Sequence, residues 1–240
     1  MHFLASLAFS VTFFLLVESR NLSTGEKQWD HIIFTQQWPE SACEHVNASG
    51  QHSCEIPSST NAWAVHGIWP SMGDTKGPNY CNESWSFDPS KIQGILSELK
   101  AEWPNLYTDT ELYSFWEHEW VKHGTCAASL DSLRGEMKYF STGLSLHKKY
   151  DVMGTLAKRG ISPSRSKTYD LTDVVGVLQD EFGYSVCIGC VYNQDIGQML
   201  YQMYICLDKS LSMIDCQHCS QSCRQEEKLV YHPIENNIVY

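Results

Sequence analysis

The sequence predicts a single α+β domain, an antiparallel sheet flanked by helices and stapled by disulfides. Three observations predict it. Strand-like runs stand near the start and near the end of the chain, while its middle follows the helical period. No internal repeat, low-complexity tract or interdomain linker divides the 240 residues, and 42% hydrophobic with 12% aromatic content supports one packed core. Ten cysteines, none before Cys43, form an even set that permits complete pairing.

The elements follow in order. Residues 1–19, MHFLASLAFSVTFFLLVES, hold an apolar run that ends at the small residues Val17 and Ser19, spaced like a signal-peptidase site. The run is short for a membrane span, so a signal peptide over 1–19 is expected, with the folded domain over 20–224. Residues 29–38, WDHIIFTQQW, read as a buried strand, and residues 62–69, AWAVHGIW, as another closed by Pro70. From Pro89 a helix is expected, with Ile92, Ile95, Leu96, Leu99 and Trp103 on one face until Pro104 stops it. A second stripe, Leu133, Met137, Phe140 and Leu144, has the same period. The stretch ISPSRSKTY reads as a loop before a helix capped at Asp170, with Leu171, Val174, Val175, Leu178 and Phe182 inward. YSVCIGCVY and MLYQMYICL read as two strands, and the polar residues 225–240 as a loosely held tail.

Charge and sequons narrow the class. A net charge of −11 argues against a protein that grips nucleic acid through a large basic surface. Ten histidines would charge as the pH falls toward about 5, which suits an acidic compartment. Sequons at Asn21, Asn47 and Asn82 fit an extracellular or lysosomal life.

The chemistry concentrates in residues 115–126, FWEHEWVKHGTC. On a helix at about 100° per residue, His118, Glu119, Lys122 and His123 share one face, and Trp120 and Val121 anchor the other. The plain reading is a solvated face beside a buried stripe. A zinc-protease motif needs histidines four apart, whereas His118 and His123 are five apart and diverge by about 140°. Glu119 and His123, at i and i+4, suit a carboxylate that orients an imidazole. Acid–base chemistry on phosphate also needs cations and a second proton-transfer group from elsewhere in the chain. His66 in WAVHGIWPS is the candidate, although a lone histidine at a strand end is often structural. Gly67 permits close backbone approach, and Trp69 offers either a stacking face or core packing.

HGIWP and FWEHEWVKHGTC resemble the two active-site segments of the ribonuclease T2 family, and QQWPESAC, CNESWSFD and KYFSTGLSLHKKYD extend the likeness over residues 29–207. The resemblance implies an α+β endoribonuclease that needs no cofactor or metal. It would act on single-stranded RNA and not DNA, through attack of the 2′-hydroxyl and a 2′,3′-cyclic phosphate that can later be hydrolysed. It casts His123 as general base, His66 as general acid, and His118, Glu119 and Lys122 as phosphate-binding groups. Trp69 and Phe115 would contact the upstream and downstream bases, and Gln37 would help hold substrate. Ser71, where many relatives carry an acidic residue, would meet a base edge. The family's setting implies a monomer in the secreted or lysosomal lumen, free of the membrane once its leader is removed.

The same resemblance implies bridges Cys43–Cys54, Cys81–Cys126 and Cys206–Cys216. Cys187, Cys190, Cys219 and Cys223 remain, with Cys187–Cys223 and Cys190–Cys219 the favoured pairing. CIGC and CQHC also match a zinc spacing, but the leader favours disulfides. The alternative to an enzyme is a secreted binding or signalling protein on the same fold.

Overall fold

The computed structural model describes residues 28–236 and 238–239, apart from 74, 218, 220 and 221. The expected signal peptide and Asn21 lie outside the described residues. The chain runs β1 (His31–Gln37), α1 (Pro39–Ser49), β2 (Ala64–Met72) and β3 (Thr75–Lys76). After a 3-10 segment, Pro89–Ile95, come α2 (Leu96–Glu102), α3 (Ser114–Glu119) and α4 (Thr125–Ala127). They are followed by α5 (Glu136–Lys149), α6 (Val152–Ala157), β4 (Ser164–Tyr169) and α7 (Leu171–Phe182). The chain closes with β5 (Cys187–Asn193), β6 (Gly197–Leu207), β7 (Met213–Ile214) and β8 (Leu229–Tyr231).

The sheet has the order β3-β2-β1-β6-β8-β4, with β5 and β7 also on β6. Its pairings are antiparallel except β6 with β8, which run parallel, so the sheet is mixed where a wholly antiparallel one was expected. Alternation along β1 buries Ile32 and Phe34 under the helices. α5 closes that layer with Tyr139 and Phe140, and the Tyr139 hydroxyl donates to the Ile68 carbonyl at 2.9 Å.

Several expected boundaries move. β2 continues through Pro70, because its far flank carries only the two-residue β3 and loses little from a missing N–H. The expected helix from Pro89 divides into a 3-10 segment, started by the Asp88 side chain capping Ser90 N–H, and α2. Met137 is exposed, and Tyr139 takes the core position, since α5 starts only at Glu136. ISPSRSKTY supplies the edge strand β4 instead of a loop.

The stretch expected as a loose tail holds β8. Leu229 and Tyr231 are fully buried, Trp38 Nε1 donates to the His232 carbonyl at 2.8 Å, and Asn236 donates to the Pro57 and Thr60 carbonyls. Three residues of strand are too few to show a period, but tertiary pairing orders them.

All ten cysteines are bridged, three pairs as expected. The other two are Cys187–Cys219 and Cys190–Cys223, opposite to the expected pairing. The returning chain runs alongside β5 in the same direction: Cys216 N–H donates to Ser185, and Cys190 N–H to the Ser222 hydroxyl. Partners therefore advance together. These bonds also remove the four thiols that the zinc spacing required.

Candidate active site

Two elements build the site. β2 presents His66 and Trp69, and its backbone is pinned by the Trp103 indole N–H donating to the His66 carbonyl at 3.0 Å. Opposite it, α3 passes into a π-helical turn, Trp120–Gly124, before α4 resumes the α-helical pattern. The π turn pairs residues i and i+5, so it alters the 100° spacing on which His118 and His123 diverge. Gly124 is required there. A Cβ at that position would stand 2.3 Å from the Trp120 ring.

The Trp69 ring contacts both His66 and His123. His66 meets it edge-on with centroids 5.0 Å apart, and His123 is tilted against it at 5.4 Å. Phe115, partly buried, packs against His66 at 5.7 Å. Thus His66, Trp69, Phe115 and His123, distant in sequence, converge.

Glu119 does not hydrogen-bond His123, as the i, i+4 reading had it. Its carboxyl is 1% exposed and accepts the Trp69 indole N–H at 3.0 Å. Gly67 makes that bond possible, since a Cβ there would lie 2.1 Å from Glu119 Oε2 and 2.2 Å from Trp69 Nε1. Burial pushes the Glu119 carboxyl up to about 8, against the opposing pull of the Trp69 N–H and Lys122. The group is therefore held protonated at neutral and acidic pH.

His123 is 5% exposed, and its Nδ1 has no hydrogen-bond partner. Burial first, then the positive charges of Lys122, His118 and His66, hold its imidazolium form down to about 2. His118 is also lowered, by burial and by Lys122. A neutral, desolvated imidazole beside cationic groups is suited to accept a proton once an anion arrives. The Lys122 carbonyl accepts Tyr80 N–H at 2.9 Å, and Cys81–Cys126 clamps the same loop to the helix end.

Two residues of the site carry no sequence signal. Gln202 on β6 bonds His66 Nδ1 through its side-chain amide, and its Oε1 accepts the Tyr204 hydroxyl at 2.6 Å. Both read as ordinary strand residues until β6 is laid beside β1 and β2. Gln37 pairs with Ala64 and Gln202 across the sheet and is buried at the same end.

One expected base contact is differently placed. Ser71 is fully buried, with its hydroxyl turned onto the Trp69 carbonyl at 3.2 Å, so it presents no side chain to a base edge. Trp69 is 7% exposed and packs against both histidines. Among the described residues, no group of three or more His, Cys, Asp or Glu is arranged to hold a metal ion, and no helix is long and apolar enough to cross a membrane.

Comparison with known proteins accords with this geometry. The model of the ribonuclease T2 family matches residues 29–216. Ribonuclease Oy of Magallana gigas is 42% identical over 218 residues, covering 88% of this chain and 100% of that protein. Extracellular ribonuclease LE of Solanum lycopersicum is 35% identical, covering 87% and 90%. Among solved structures, RNase NT in complex with 5′-AMP aligns with a TM-score of 0.76 at 30% identity, covering 87% of this chain and 100% of that one. Human RNase T2 aligns at 0.71 and 31%, covering 85% and 99%.

Proposed function

The chain belongs to the ribonuclease T2 family, and from that premise we propose that this endoribonuclease cuts single-stranded RNA by metal-independent transphosphorylation. The observation that carries the reading is the pair His66 and His123, both packed against the Trp69 ring, with Lys122 and a buried, protonated Glu119 beside them.

In the first step His123 takes the proton of the 2′-hydroxyl as its oxygen attacks phosphorus. The bond from phosphorus to the 5′-oxygen breaks, and His66 gives that oxygen a proton. The products are a 2′,3′-cyclic phosphate and a free 5′-hydroxyl. Lys122 and His118 offset the charge gathering on the phosphoryl oxygens. Protonated Glu119 donates a hydrogen bond to them, where an ionised carboxylate would repel. Because burial and the neighbouring cations oppose protonation of His123, its base form persists at acidic pH, which supports work in an acidic lumen. DNA lacks the nucleophile and should not be cut.

Secretion or delivery to a lysosomal lumen is supported by the five disulfides, since oxidising compartments preserve them. The deciding experiment is digestion of single-stranded RNA in EDTA at mildly acidic pH, with product ends read by chromatography. Cyclic-phosphate ends are expected from the wild type. His66→Ala and His123→Ala should each lose at least about a thousandfold in kcat/KM while remaining folded. Substantial turnover by either variant would overturn the assigned roles.

A further inference from the structure

We propose that a cleft beside the Cys81–Cys126 bridge is an additional nucleotide subsite, holding RNA on the 5′ side of the nucleotide that is cut. The inference rests on the ribonuclease reading above and extends it to substrate length.

The cleft has a volume of about 900 Å³ and is lined in part by residues of both segments that carry the histidines. Thr125 and Cys126 line it, two and three residues after His123 on the same helical segment. Met72, the last residue of the strand that carries His66 and Trp69, lines its other wall. Phe115, the expected downstream contact, stands at the opposite end of the helical segment. The cleft thus lies toward the ends of both elements remote from Phe115, the side on which the 5′ strand is placed.

Its chemistry suits a nucleotide. Trp85 is 40% exposed, and its ring is held 8° from parallel with buried Trp120 at 6.4 Å, so a flat face is fixed before any ligand arrives. Base stacking on such a ring is sequence-tolerant. Two cations also line the cleft on a chain of net charge −11. Lys209 lies 4.6 Å over the Trp29 ring, and Arg134 is braced by Asp131 and the Ala128 carbonyl. Phosphate recognition uses this kind of charge. The Asp30 carboxylate also lines the cleft, but it is engaged by His31 and Gly73 N–H.

The test compares cleavage of a dinucleoside monophosphate with the same dinucleotide carrying two further nucleotides at its 5′ end. Enzymatically deglycosylated protein is used, so that sugar on Asn82 at the rim does not cover the ring. The 5′ extension should raise wild-type kcat/KM about tenfold or more, the scale of one good stacking contact. Trp85→Ala and Lys209→Glu should each lose most of that gain and leave dinucleotide cleavage within about twofold of wild type. If Trp85→Ala disturbs Trp120, the exposed Lys209 variant decides. A wild type indifferent to the extension, or variants that keep the full gain, would overturn the subsite. A wild type that cuts neither substrate would overturn the ribonuclease reading and the subsite with it.

Discussion

Trp69 donates its indole N–H to the buried carboxyl of Glu119 at 3.0 Å, joining the strand that carries His66 to the helical segment that carries His123. Burial outweighs that donated N–H and leaves Glu119 short of solvation for a negative charge, so its proton is retained up to about pH 8.

That retention has a stability cost with a definite sign. Unfolded Glu119 ionises near its ordinary value of 4.5, whereas the folded group holds its proton to about 8. Its contribution to stability is therefore fully present below about pH 4.5 and declines as the pH rises to about 8. The loss is on the order of 4 to 5 kcal/mol. Glu119→Gln should remove this decline: urea unfolding at pH 5 and pH 8 should show the variant gaining on the wild type by several kcal/mol at the higher pH. An unchanged difference would mean that Glu119 is ionised in the folded protein. Activity should also fall more steeply above pH 8 in the wild type than in the variant.

Gly67 should prove as necessary as Glu119 itself. An added Cβ cannot coexist with the Trp69–Glu119 bond, since it would sit near 2 Å from both partner atoms. Gly67→Ala is expected to lower kcat/KM by about 100-fold or more, the scale of losing one donor to the phosphoryl oxygens. In a double-mutant cycle with Glu119→Ala, the second change should add little. Full additivity would show that the two act separately.

Gln202 is expected to act by positioning His66. Its amide nitrogen faces His66 Nδ1 and its Oε1 faces the Tyr204 hydroxyl; rotating the amide reverses the chain and offers an acceptor to a protonated His66. Gln202→Leu removes both options. We expect kcat to fall about 10- to 100-fold with KM little changed, and the alkaline limb of kcat to move to lower pH. Gln202→Glu, which restores an acceptor, should recover much of the rate. A loss confined to KM would exclude this role.

How much of this could be read from the chain depends on range. HGIWP and FWEHEWVKHGTC carry their chemistry in contiguous residues, and the fold class follows from hydrophobic period. The π turn has no periodic signature, and only Gly124, required by the Trp120 ring, hints at it. Gln202 looks like any polar residue in a strand until β6 lies beside β1, and the last two disulfides depend on the direction in which residues 216–223 return past β5. Ser71 keeps its place in the motif, but its direction is set by packing against the Trp69 carbonyl.

The C-terminal segment offers the clearest test of a long-range feature. Tyr231 is fully buried, its hydroxyl accepts Trp63 Nε1–H at 2.9 Å, and its ring meets Trp38 edge-on at 4.7 Å. Trp63 stands just before β2, so Tyr231 ties the end of the chain to the strand that carries His66. Tyr231→Ala should cost about 3 to 5 kcal/mol in denaturant unfolding, the usual range for deleting a buried aromatic. Tyr231→Phe should cost about 1 to 3 kcal/mol, because the Trp63 N–H is left buried without its acceptor. Activity per folded molecule should survive both changes, since neither touches the histidines. A tail that was merely draped over the surface would make both substitutions silent, and truncation after residue 224 would then leave a stable enzyme; the packing of β8 requires instead that the truncated chain lose its cooperative unfolding transition.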